Sequence, residues 1–289
     1  MKIKIAAGSG FCFGVRRAIK IAEEAALEKS GVYTLGPIIH NPQEVERLRK
    51  LGIKILKTPS LKKGVLILRT HGIPMNLHRE LEKKKDVKVI DAICPFVKRA
   101  QNTVRELSSK DGDIVIVGEK EHPEVKALLS YGNKRTFVLN SVKEAEKLDF
   151  SGGVNIVSQT TQSIENFNAI VSFLSSKYKT AVYNTICKST FERQFAASKL
   201  AKETDLMIVI GGKNSANTLR LAQICSRETF TRHIETEKDL KACWFRGKKS
   251  AALTAGASTP DWIVKSVQEA INNILNNGRE GEAKWKKKI

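Results

Sequence analysis

A spacing of cysteine, glycine and polar residues recurs three times along this 289-residue chain and restricts its architecture more than any composition figure does. Cys12, Cys94 and Cys187 each precede a helix-like stretch with arginine in its first turns: Phe13 to Ala26, Pro95 to Leu107 and Lys188 to Ala201. The positions 28 residues beyond these cysteines are His40, His122 and Ser215. Each lies four residues after a glycine (Gly36, Gly118, Gly211) that ends a strand-like run, and each opens another helical pattern. A second run in each repeat then ends in a polar cluster: Thr70-His71-Gly72, Ser158-Gln159-Thr160-Thr161, and Thr254 to Ser258. Self-similarity at this length marks repeated supersecondary units.

Short β-branched runs alternate with amphipathic helical patterns throughout. The runs are Val32–Leu35, Val65–Leu68, Ile114–Val117, Val154–Val157, Leu206–Ile210 and Ala251–Leu253. This alternation predicts an α/β protein with parallel strands and ligands at the strand carboxyl ends. With the repeat, it predicts three similar α/β units in a pseudo-threefold trefoil: residues 13–93, 94–186 and 187–289, with the strand in 1–12 joining the last. Such packing would bring the three cysteines and a ring of polar side chains to one centre.

Three thiolates from separate units suit a zinc ion with a fourth ligand, or an iron–sulfur cluster with one iron left open. Cys225 and Cys243 fall outside the pattern and read as buried apolar thiols. The polar clusters sit where helices begin, so backbone N–H groups and the positive helix end favour an anion such as a diphosphate. Taken singly, Asn41, Ser215 and Asn217 read as helix N-caps. His40, His71 and His122 are three of only five histidines, and all belong to the pattern. His78 and His233 do not, and read as surface residues. Glu124 is the one carboxylate of these clusters placed to face the centre, where it can serve as a proton donor.

Composition narrows the partners. Fifty Lys and Arg against 30 Asp and Glu give a net charge of +20, which attracts nucleic acid, phosphorylated metabolites or an acidic protein. Aromatics are only 6% and no stacking platform is evident, so nucleic acid is not expected. No apolar run approaches the roughly 18 residues needed to cross a bilayer, and no membrane partner is expected. Five cysteines and an amino terminus without a secretory signal predict a cytoplasmic protein.

The segments Gly10 to Ile19, His40-Asn41, Thr70-His71-Gly72, Asp91 to Pro95, His122 to Val125, Gln159-Thr160-Thr161, Cys187, Asn214 to Asn217 and Thr254 to Ser258 together carry a specific resemblance. They resemble the 4-hydroxy-3-methylbut-2-enyl diphosphate reductase (IspH/LytB) family along nearly the whole chain. The resemblance implies one [4Fe–4S] cluster held by Cys12, Cys94 and Cys187, at which the substrate hydroxyl is removed as water. It implies that Glu124 supplies protons with Thr160 beside the substrate hydroxyl, and that His40, His71, His122, Ser215, Asn217 and Ser258 hold the diphosphate. The products would be isopentenyl and dimethylallyl diphosphate, and the electrons would come from a ferredoxin or flavodoxin. The family often carries a second serine where this chain has Ala216, which implies one fewer hydroxyl contact to the diphosphate.

Overall fold

A computed structural model describes residues 1–28 and 31–286. The side chains of the carboxy-terminal lysine run at 284–288 lie outside the described residues. The chain folds as three four-stranded sheets, every strand pair parallel. Its elements begin with β1 (Lys2–Ile5), α1 (Phe13–Glu28), β2 (Val32–Leu35), α2 (Pro42–Lys50), β3 (Lys54–Leu56), β4 (Gly64–Leu68), α3 (Met75–Glu82) and β5 (Val87–Asp91). The next are α4 (Pro95–Leu107), β6 (Asp113–Val117), α5 (Pro123–Tyr131), β7 (Thr136–Leu139), α6 (Val142–Ala145), β8 (Val154–Ser158), α7 (Ile164–Lys177) and β9 (Thr180–Tyr183). The last are α8 (Lys188–Lys202), β10 (Leu206–Ile210), α9 (Ala216–Ser226), β11 (Phe230–Ile234), β12 (Ser250–Ala255) and α10 (Asp261–Lys286).

The strand orders are β3-β2-β4-β5, β7-β6-β8-β9 and β11-β10-β12-β1. These are one topology used three times, with β1 taking the place that β5 and β9 hold in the other sheets. Central strands such as β6 (DIVIV) and β10 (LMIVI) are buried at every residue, as parallel strands covered on both faces must be. One face of β6 and β8 packs against α7 through Phe167, Ile170 and Leu174, and the other against α4 and α5 through Val104, Leu107 and Leu128. The sheet containing β10 is covered by α10 through Ile263 and Val267, and by Ala197 and Ala201 of α8.

By compactness the chain divides into two units, one of Met1–Cys12, His40–Glu44 and Glu192–Ile289, the other of Phe13–Ile39 and Val45–Phe191. The first contains the β1–β12–β10–β11 sheet, the second the other two sheets. Cys225 is buried as expected, and its thiol is pushed up to about 12 by burial. Cys243 corrects the sequence reading: it is exposed, on a short 3-10 turn at Ala242–Phe245. His233 is likewise more than a surface residue, because its half-buried ring shares a 2.8 Å hydrogen bond with the Gly211 carbonyl. His78 is half-buried and lies 3.3 Å from Glu82.

Candidate active site

Each of Cys12, Cys94 and Cys187 follows the fourth-place strand of its sheet: β1, β5 and β9 respectively. One backbone contact then fixes each in the same way. The N–H of Cys12 donates to the Ala257 carbonyl at 3.2 Å, that of Cys94 to Thr70 at 3.2 Å, and that of Cys187 to Thr160 at 2.9 Å. The acceptors lie two residues beyond β12, β4 and β8, the strand that in each sheet pairs with the one leading to the cysteine. The threefold pattern read from spacing is thus a threefold pattern of hydrogen bonds, and it makes Thr70, Thr160 and Ala257 equivalent positions.

All three cysteines are partly exposed and outside any disulfide. Gly14 shows what the space beside one of them requires. A Cβ there would lie 2.5 Å from Cys94 Sγ, so only glycine leaves that sulfur uncrowded. The Cys187 sulfur has the Ser189 hydroxyl at 3.1 Å. Arg17 donates to the carbonyls of Ile93 (3.2 Å) and Asp91 (3.0 Å), pinning α1 to the loop that carries Cys94. Buried Arg193 donates to the Ala255 carbonyl at 2.8 Å. Sequence reading noted an arginine after each cysteine but not these clamping roles.

In the unit of residues 13–39 and 45–191, Glu124 is fully buried at the second position of α5. Its carboxylate accepts from the Thr160 N–H at 2.6 Å and from the Thr160 hydroxyl at 2.9 Å. Burial pushes the acid up to about 7, and the two Thr160 bonds act against that rise. His122 caps the same helix: its Nδ1 accepts from the Glu124 N–H at 3.2 Å, which leaves Nε2 as the ring atom able to donate. The rings of His71 and His122 meet edge to face with centroids 5.6 Å apart. Thr70 Oγ1 donates to the Ile38 carbonyl at 2.9 Å.

In the other unit, Ser215 caps α9 by accepting from the Thr218 N–H, and Asn41 caps α2 by accepting from the Glu44 N–H at 2.9 Å. Asn217, read as another cap, is none. It is buried at the second position of α9, and both its Oδ1 and Nδ2 lack any hydrogen-bond partner among the described residues. The hydroxyls of Thr218 and Thr254 and the Nδ2 of Asn41 are buried and unpartnered in the same way. Thr218 is a residue that sequence reading missed, since its only signal was proximity to Ser215. Ser258 donates to the His40 carbonyl at 3.1 Å. A Cβ on Gly212 would lie 2.8 Å from that same carbonyl, so glycine is needed where the two loops touch.

A buried amide with no partner costs about 1–3 kcal/mol. Several such groups in one unit, near helix amino termini, are what an anion with many acceptor oxygens would satisfy. Thiols in equivalent backbone settings suit a metal centre, a buried acid near neutrality suits proton transfer, and unpartnered buried donors suit phosphate oxygens.

The LytB protein family pattern matches residues 3–272. A Campylobacter hominis protein called 4-hydroxy-3-methylbut-2-enyl diphosphate reductase is 48% identical over 281 residues, covering 95% of this chain and 100% of that protein. One of the same name from Pelobacter propionicus is 44% identical over 277 residues, covering 95% of this chain and 99% of its own. Among solved structures, (E)-4-hydroxy-3-methyl-but-2-enyl diphosphate reductase, described as the terminal enzyme of the non-mevalonate pathway, matches with 46% identity and a TM-score of 0.69. It covers 94% of this chain and 99% of that one. The Plasmodium falciparum E-1-hydroxy-2-methyl-but-2-enyl-4-diphosphate reductase matches with 31% identity and a TM-score of 0.86, covering 93% and 86% of the two chains.

Proposed function

The chain belongs to the LytB protein family and reduces 4-hydroxy-3-methylbut-2-enyl diphosphate, and we propose how its own residues divide that reaction. Removing the allylic hydroxyl as water takes two electrons and two protons, and yields isopentenyl or dimethylallyl diphosphate. The observation that carries the division of labour is Glu124, a buried acid near neutrality bonded to both the N–H and the O–H of Thr160. Hydroxide is a poor leaving group, so the leaving oxygen needs a proton as the C–O bond breaks. An acid with a pKa of about 7 holds a transferable proton at neutral pH. Protonated Glu124 can donate to Thr160 Oγ1, which then turns its own hydrogen toward the substrate hydroxyl. His71, His122, His40, Ser215, Asn217 and Ser258 bind and orient the diphosphate, and Nε2 of His122 donates because its Nδ1 is occupied by the helix cap.

In this proposal Cys12, Cys94 and Cys187 hold one [4Fe–4S] cluster, which supplies electrons singly and a Lewis-acidic iron for the hydroxyl. The donor set supports the reading: three thiols in equivalent backbone settings, with glycine beside the Cys94 sulfur. The division into units 13–93, 94–186 (and 187–289 with 1–12) belongs to the same proposal, each unit contributing one thiolate. So do an acidic electron-donor protein of the ferredoxin or flavodoxin kind and a cytoplasmic location, the latter supported by five cysteines outside any disulfide. Among the described residues no helix is long and apolar enough to cross a membrane.

The test is anaerobic reconstitution followed by iron and sulfide analysis and turnover with a chemical reductant. Equal iron and sulfide, with a paramagnetic signal that changes on adding the substrate, is the expected result. Turnover by an iron-free chain would overturn the assignment of the thiols.

A further inference from the structure

The helices that follow the three cysteines share a feature on their outer faces that the reaction does not use. Helix α1 opens with Phe13, 62% exposed, and carries exposed Arg16 three residues on. Helix α4 presents Phe96, 37% exposed, with exposed Arg99 three residues on. Helix α8 opens with exposed Lys188 and presents Phe191, 46% exposed, three residues on. A three-residue step keeps both side chains on one helix face. A single exposed phenylalanine needs no explanation. Three such residues, one on each helix, each three residues from a cation and each within about one helical turn of a cysteine, do. Two are tied to one sulfur: Gly14, next to Phe13, lies against Cys94 Sγ, and Phe96 lies two residues beyond Cys94.

We propose that these phenylalanines and cations form the docking surface for an acidic one-electron carrier protein, a proposal that rests on the cysteines holding a cluster. Apolar aromatics with a charged surround are the composition of a protein–protein contact, with aromatic and arginine side chains as its anchors. The occupant follows from charge. The chain carries a net +20, and the exposed cations named here stand beside the aromatics, so the matching surface is rich in carboxylates with an apolar edge at its redox group. Each encounter passes one electron, leaving the carrier oxidised by one. Two encounters, with two protons, balance the breaking of the C–O bond and the release of water.

The experiment uses the reconstituted holoenzyme, a purified acidic flavodoxin as probe, and methyl viologen as a small reductant. Phe13→Ser with Phe96→Ser, and separately Arg16→Glu with Arg99→Glu, should each raise the flavodoxin Kd by roughly tenfold or more in calorimetric titration. Iron content and the viologen-driven rate should stay within about twofold of the wild type. Added salt should weaken flavodoxin binding and leave the viologen rate little changed, since charge steering is screened over about 8–10 Å near physiological ionic strength. Unchanged flavodoxin affinity in both double variants would overturn the docking surface. So would a parallel fall in iron and viologen rate, which would make these residues guards of the cluster instead. Should the wild type fail to reduce substrate with viologen, the reductase reading fails, while the titration still reports on the surface.

Discussion

Glu124 and Asn217 stand at equivalent places, two residues beyond the repeat positions His122 and Ser215 and second in their helices, yet one is satisfied and the other is not. Glu124 is held by the N–H and hydroxyl of Thr160, whereas the Asn217 side chain has no hydrogen-bond partner among the described residues. The two strand ends also differ in side chain. The cysteine N–H bonds make Thr160 and Ala257 equivalent, and alanine has no hydroxyl to offer. One unit completes its polar layer internally and tunes an acid. The other leaves its amide without a hydrogen-bond partner among the described residues. A repeated fold thus carries two different polar layers at a shared backbone position.

That contrast should vanish at the thiols, where the largest effects are expected. Cys12→Ser, Cys94→Ser and Cys187→Ser should each lose the cluster and all turnover, whichever unit they occupy, while Cys225→Ser and Cys243→Ser retain it. Iron analysis after anaerobic reconstitution decides this, and equal iron in all five variants would refute it.

The next largest effect should fall on turnover and come from the satisfied side. Glu124→Gln should lower kcat by roughly two orders of magnitude or more with little change in substrate affinity, because a positioned acid contributes about 10²- to 10⁴-fold. The wild-type rate should fall as pH rises through about 7, where Glu124 loses its proton, and the variant should lack that limb. The sign for stability agrees. The folded-state pKa lies above the ordinary 4.5, so the contribution of the protonated acid is full below 4.5 and is lost as pH rises through about 7. Thr160→Val should do less harm to kcat than Glu124→Gln. It should move the pH limb upward, since the lost hydroxyl bond had favoured the charged carboxylate.

The open side should respond in affinity rather than rate. Hydrogen bonds to charged groups contribute about 1.5–3 kcal/mol, so Asn217→Leu should weaken substrate binding by roughly 10- to 150-fold. The free protein should be no less stable, because an unpartnered buried amide has been replaced by an apolar group of similar size. Thermal unfolding with and without substrate separates the two. Loss of stability in the free variant would show that Asn217 has an internal role after all. The smallest effect belongs to Ala216→Ser, which restores a hydroxyl beside Asn217: about 0.5–1.5 kcal/mol, at most about a tenfold gain in affinity by titration.

Much of this was legible in sequence because it is local or strictly spaced. The three helices after the cysteines and the six apolar runs are found where periodicity put them, and Asn41 and Ser215 cap as their residue types predict. Strands β3, β5, β7, β9 and β11 escaped notice because they are sheet-edge strands whose residues are partly exposed. The Glu124–Thr160 pair was legible as two residues but not as a bond, since 36 residues and a strand crossing separate them. The orphan state of Asn217 was illegible altogether, because it depends on which polar groups the fold brings within reach of its amide. The exposure of Cys243 was missed for a plainer reason: composition favours burial for any unpatterned thiol, and a short 3-10 turn overrides it.

The place of β1 in its sheet has a consequence for how the chain is made. Lys2 pairs with Ser250, so the strand that leads to Cys12 leaves the ribosome long before its partner β12 does. At synthesis rates of about 5–20 residues per second, that strand waits on the order of ten seconds or more beside an unfinished sheet. The sheets ending in β5 and β9 draw every strand from one continuous stretch and can close during synthesis. Cys94 and Cys187 can thus reach their final backbone contacts while Cys12 still lacks its own, which makes closure of β1 onto β12 the step that completes the trio of thiols.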